Sequence, residues 1–129
     1  MNKQPLILVV EPNLDNLEIL NSRLQELNLS CLCAKQGVRA LILAQTHQPD
    51  LILLDMKLPD LSGIQVIYYL KRNPETAYIP IIAFTDLIVD RELDSMRLTG
   101  VDSWINKPYD FTKIEFAVRQ HIESVNSFN

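Results

Sequence analysis

Five polar side chains stand at or just past the ends of apolar runs in this 129-residue sequence. Glu11 follows the run 6–10, Asp55 follows 51–54, Thr85 and Asp86 follow 79–84, and Lys107 comes shortly after 102–105. Their types are chemically coherent. A carboxylate facing an ammonium, with a hydroxyl and a second carboxylate nearby, can bind a divalent cation and hold a phosphoryl group. Hard cations take oxygen ligands, and magnesium commonly uses only one or two carboxylates plus phosphate oxygens and water. Lysine supplies a point charge for phosphate oxygens, and an aspartate carboxylate is a nucleophile able to form an acyl phosphate. Taken singly, each residue also has a plainer use. Asp55 opens the loop that Pro59 and Gly63 shape, Thr85 caps a turn, and Lys107 ends a strand in solvent. Their joint placement behind separate runs is what points to a site.

The elements that must position them follow from the pattern of apolar residues. The runs 6–10, 51–54 and 79–84 are rich in branched residues and lack alternation, as parallel strands buried on both faces do. The runs 29–34 and 102–105 are shorter or more polar and read as edge strands. Between them lie segments of helical spacing. The first carries Leu14, Leu17, Leu20, Leu24 and Leu27, with Asn13 as N-cap and Asp15 in the first turn. A second spans 38–48 between Gly37 and Pro49, and a third spans 64–72 from Ser62-Gly63 to Asn73-Pro74. A fourth, 91–98, ends at Gly100, and a fifth starts from Asp110 and runs through Phe111, Ile114, Ala117, His121 and Ile122. Alternating strand and helix implies right-handed crossovers, hence a doubly wound five-stranded parallel sheet with helices on both faces. Ligands of such sheets bind outside the carboxyl ends of the strands, where strand order reverses. Glu11, Asp55, Thr85, Asp86 and Lys107 all fall there.

Composition sets the outer limits. The length suits one domain over residues 1–129, and 47% hydrophobic against 22% charged residues allows a packed core without metal or disulfide staples. A net charge of −4 offers no uniform basic field, which argues against direct nucleic-acid binding. No apolar run approaches the roughly 18 residues of a membrane span, and the amino terminus does not read as a signal peptide. A cytoplasmic protein with reduced thiols is expected. Cys31 and Cys33 share one face of a strand and are expected to pack in the core rather than bind a metal.

The segments ILVVEPN, LILLDMKLPDLSG, IIAFT and GVDSWINKPY resemble those of response-regulator receiver domains, and the resemblance covers nearly the whole chain. It implies the flavodoxin-like receiver fold with strand order 2-1-3-4-5. By that resemblance Asp55 is the phosphoacceptor, Thr85 the hydroxyl that contacts the phosphoryl group, and Lys107 the cation that pairs with it, next to a Lys-Pro step where a cis peptide is usual. Magnesium would be held by Glu11, Asp55 and the backbone carbonyl of Lys57. The implied donor is a histidine kinase or phosphotransfer protein. Because no output domain follows Ile122, output is expected through a downstream protein target. Pairing of two copies through the fourth helix, fifth strand and fifth helix is compatible with the family.

The sequence departs from the family at three positions. Receivers generally carry two adjacent acids after the first strand, whereas here Pro12 follows Glu11, with no side-chain oxygen and no N–H. The resemblance thus implies an incomplete, weaker magnesium site. Asp86 replaces a usually small residue, and either obstructs a phosphodonor or turns to solvent. Trp104 stands where a tyrosine or phenylalanine usually moves with the threonine hydroxyl; it is either a switch displayed outward or a packed indole. These departures leave a second reading, a pseudo-receiver that binds partners without phosphorylation. A haloacid-dehalogenase-like phosphatase would need Asp-x-Asp, and the second position is Lys57. An FMN carrier would need a phosphate loop that Glu11-Pro12-Asn13-Leu14 does not offer. The chain is expected not to be an enzyme beyond self-dephosphorylation.

Overall fold

A computed structural model describes residues 4–86 and 90–126, the side chains of 90–93 and 123–126 excepted. The chain alternates strand and helix throughout: β1 (Leu6–Val10), α1 (Leu14–Glu26), β2 (Ser30–Ala34), α2 (Gly37–His47), β3 (Leu51–Asp55), α3 (Gly63–Arg72), β4 (Ile81–Thr85), α4 (Asp90–Leu98), β5 (Ser103–Asn106) and α5 (Phe111–Asn126). All strand pairs are parallel, in the order β2-β1-β3-β4-β5. The doubly wound sheet expected from the sequence is therefore present, with the more polar runs at its edges.

Strand side chains alternate between two faces, and both faces are apolar. Ile7, Val9, Leu51, Leu53, Ile82 and Phe84 pack against Leu17, Leu20 and Leu24 of α1 and Ile114, Val118 and Ile122 of α5. Leu8, Val10, Ile52 and Leu54 pack against Ala40, Leu43 and Ala44 of α2 and Val66, Ile67 and Leu70 of α3. This double burial is why the central runs show no polar alternation in the sequence.

Helix starts follow local chemistry. Asn13 Oδ1 accepts the Asn16 N–H at 2.9 Å, and Ser62 and Gln65 form a reciprocal capping box at the head of α3. Gln36 makes no side-chain cap for α2; the Asp60 carboxylate takes that place from the β3–α3 loop, accepting the N–H groups of Gly37 at 2.8 Å and Val38 at 2.9 Å. One loop thus carries the end of β3 and the cap of α2.

Several expectations need correction. β4 begins at Ile81, not 79, because Pro80 has no N–H for a ladder and the Ile79 N–H closes a turn on the Thr76 carbonyl. Leu14 is 52% exposed, since the first residue of α1 lies outside its buried stripe. Cys31 packs partly against the core, but Cys33 is exposed on edge strand β2, where only one flank is covered. Val118, absent from the expected stripe of α5, is buried there.

Candidate functional site

β3 ends on Asp55 and β1 ends one residue before Glu11. Val10 lies opposite Leu54, so the two acids leave adjacent strands side by side, at the point where β1 has β2 on one flank and β3 on the other. The alternation that aims Leu51 and Leu53 at α1 and α5 aims Asp55 the same way.

Asp55 is only 3% exposed. A carboxylate so placed needs compensation, and it has it. Lys107 Nζ lies 2.9 Å from both Oδ1 and Oδ2, and the Lys57 N–H donates to Oδ1 at 2.9 Å. Lys107 is held in turn by its own N–H, which donates to the Thr85 carbonyl at 2.7 Å and extends the β4–β5 ladder one step past Asn106. The Lys107-Pro108 peptide is cis.

Thr85 closes β4, and its hydroxyl donates to the Asp86 carbonyl at 3.1 Å. The Asp86 side chain turns to solvent and stands 3.6 Å from Lys57 Nζ across the mouth of the cleft. Both partners are largely exposed, so this pair contributes little stability. Asp55, Lys57, Gly63, Thr85, Asp86 and Lys107 line a single cleft of about 290 Å³. Gly63 is needed at its floor. A Cβ there would fall 2.6 Å from the Met56 Cα and against the Met56 sulfur.

Glu11 does not line the cleft. It is 1% exposed, with Oε2 accepting the Asn13 N–H at 2.9 Å and Oε1 accepting the Tyr109 hydroxyl. The Tyr109 ring meets Phe84 edge to face, with centroids 5.0 Å apart and planes at 85°. Burial, then the hydrogen bond to Glu11, then the negative charge of Asp55 push the phenol well above its ordinary range, so it stays a neutral donor. Sequence reasoning missed this residue. The available signal was a phenol in a short polar stretch between strand and helix, which needs a partner once covered.

Trp104, half-buried on β5 opposite Ala83, lies away from the cleft lining; it is neither fully packed nor fully displayed. Among the described residues no group of three or more His, Cys, Asp or Glu side chains is arranged to hold a metal. The donors present still suit magnesium, which accepts one or two carboxylates, a carbonyl and water. Asp55 and Lys57 are at the cleft, and Glu11 is one strand away.

Comparison with known proteins gives the family and agrees with the fold. The family model of the response regulator receiver domain matches residues 7–119. The polar-differentiation response regulator DivK of Brucella anthropi is 31% identical over 122 residues, covering 95% of this chain and 94% of that one. The signal receiver domain of a signal transduction histidine kinase from Syntrophus aciditrophicus superposes with a TM-score of 0.87 at 27% identity, covering 94% of this chain and 92% of that chain. The receiver domain of a sensor histidine kinase from Pseudomonas aeruginosa, described with a magnesium ion coordinated in its active-site cleft, has the same fold. Its TM-score is 0.85 at 23% identity, covering 94% of this chain and 99% of that one. Sheet order, chain-wide match and relatives point one way, and the chain belongs to the response regulator receiver domain family of two-component signalling.

Proposed function

We propose that Asp55 is the phosphoacceptor of this receiver and that a histidine kinase or phosphotransfer protein is its donor. The observation that carries this reading is the buried Asp55 carboxylate at the open end of β3, held through both oxygens by Lys107 in a cleft that Thr85 also lines. An Asp55 oxygen attacks the phosphorus, an O–P bond forms, the P–N bond to the donor imidazole breaks, and the leaving imidazole takes up a proton from water. Lys107, already at the carboxylate, moves with the transferred charge onto a phosphoryl oxygen. The Thr85 hydroxyl turns from the Asp86 carbonyl to the new acceptor, which couples the phosphoryl group to the end of β4. Magnesium, held weakly by Asp55, the Lys57 carbonyl and Glu11 with waters in place of a second adjacent acid, would neutralise charge on the phosphoryl oxygens.

Output would pass to a downstream protein, with the face of α4, β5 and α5 around Trp104 as the surface that responds. The test is labelling by acetyl phosphate of wild type and Asp55→Asn, with and without magnesium, read by intact mass. Slow labelling of wild type alone, faster with magnesium, is expected; equal labelling of Asp55→Asn refutes the assignment. Two observations favour a second reading, a partner-binding module that works without phosphorylation: Pro12, and Glu11 engaged by Asn13 and Tyr109 instead of lining the cleft. It predicts no labelling of wild type by acetyl phosphate or by any kinase.

A further inference from the structure

Glu11 is the one buried acid of the site that does not reach the cleft, and its position is explained by what holds it. The carboxylate is 1% exposed and lies beside Asp55 in strand register, so two negative charges share a poorly solvated space at the head of β1 and β3. Lys107 answers Asp55. Among the described residues, what answers Glu11 is not a cation. It is the Asn13 N–H on Oε2 and the Tyr109 hydroxyl on Oε1. Hydrogen bonds to an ionised acceptor are about twice as strong as neutral ones, and a buried carboxylate without them would be costly.

The phenol is fixed for this task. Its ring abuts Phe84, the residue of β4 that pairs with Asp55, which seats the hydroxyl on Glu11 with Asp55 close by. For Glu11 to join Asp55 on a divalent cation, its carboxylate would have to turn from this hydroxyl toward the cleft. The phenolic hydrogen bond opposes that turn.

We infer that Tyr109 is a latch on Glu11, a positioning residue whose hydroxyl holds that carboxylate beneath the cleft and so sets how weakly the acid pair takes a divalent cation. The inference rests on the reading of Glu11 and Asp55 as the magnesium-holding pair. Pro12 explains only that one acid is missing; the latch explains why the remaining acid is also withheld. The two causes are separable by substitution.

The test is magnesium binding by isothermal titration calorimetry to wild type, Tyr109→Phe, Pro12→Asp and Glu11→Gln at pH 7. Tyr109→Phe keeps the ring against Phe84 and removes only the oxygen. It is expected to bind magnesium about tenfold more tightly than wild type, roughly 1.4 kcal/mol, and Glu11→Gln in that background is expected to abolish the gain. Pro12→Asp tests the underlying reading, because a restored adjacent acid should tighten binding with the latch intact. If Pro12→Asp tightens binding and Tyr109→Phe does not, the latch is refuted while the metal site stands. If Tyr109→Phe binds more weakly than wild type, the phenol presents Glu11 to the cation and the latch is again refuted. If no variant binds, the metal-site reading falls and takes the latch with it.

A second measurement needs no substitution. In wild type labelled with carbon-13 at tyrosine Cζ, saturating magnesium should shift the Tyr109 resonance as its hydroxyl loses Glu11. An unmoved resonance in a protein whose magnesium site is full overturns the proposal.

Discussion

Lys107→Met removes an ammonium and keeps most of the aliphatic stem, so it isolates the charge that faces Asp55. Two unit charges at the observed 2.9 Å attract by about 6 kcal/mol at an effective dielectric near 20. Much of that attraction is offset in the wild type by the desolvation of two ions, whose side chains are 4% exposed for Asp55 and 23% for Lys107. The variant keeps the carboxylate out of water and loses what compensated it. Breaking a fully buried pair costs about 3–5 kcal/mol. Lys107 retains some contact with water and the Lys57 N–H still donates to Asp55, so the expected loss is about 2–4 kcal/mol. For a domain of this length that lowers the melting temperature on the order of 10 °C.

The assay is urea unfolding followed through Trp104, the sole tryptophan, in wild type, Lys107→Met, Asp55→Asn and the double variant. Asp55→Asn removes the charge that Lys107→Met strands, so the double variant should be more stable than Lys107→Met alone, with a coupling energy of about 2 kcal/mol or more. A Lys107→Met protein within about 0.5 kcal/mol of wild type, or strictly additive single effects, would refute the reasoning. The measurement is independent of phosphotransfer.

Three further outcomes follow from local geometry. The N–H groups of Val38 and Gly37 hold the Asp60 carboxyl below its usual range, so its contribution to stability is present above an ordinary carboxylate pKa of about 4 and is lost as pH falls through its lower folded value. Asp60→Asn should flatten the acid limb of midpoint against pH, and an unchanged limb argues against the cap. Gly63→Ala should lose about 1–3 kcal/mol in thermal unfolding, since its Cβ lands on the Met56 backbone; wild-type stability would show that the cleft floor gives way freely. Burial raises both thiols, and burial, then the neighbouring Cys33, push Cys31 up to about 11, so at pH 8 a disulfide reagent should react with the more exposed Cys33 faster than with Cys31. Two equal phases, or a fast phase surviving Cys33→Ser, would contradict this.

The three central strands were legible in the sequence for a physical reason. A strand covered on both faces can place a branched apolar residue at every position, and Leu6–Val10 and Leu51–Asp55 do so until the first acid. The errors fall where cover is partial. Leu14 fits the helical spacing of α1 yet lies beyond the reach of the sheet, and Cys33 sits on a strand with one free flank, where period and composition no longer report burial. The run 79–84 overstates β4 because Ile79 is fully buried without being a strand residue.

The site divides the same way. Asp55, Thr85 and Lys107 could be collected from the sequence because parallel strands end together, so residues at strand ends meet whatever lies between them. Pattern says which groups arrive there and not which way they turn. Pattern groups Glu11 with the cleft residues, yet the choice between the cleft and Tyr109 depends on a donor 98 residues away and on the Phe84 ring that seats it. Asp60 likewise reads as a loop acid, although its work is on the N–H groups of a helix 22 and 23 residues earlier. Such contacts carry no period, since one hydrogen bond to a buried oxygen fixes a carboxylate from any distance along the chain. A site whose chemistry depends on the turn of one carboxylate can therefore be located from sequence, while its resting state is set by the side chain that holds that carboxylate, here the phenol of Tyr109.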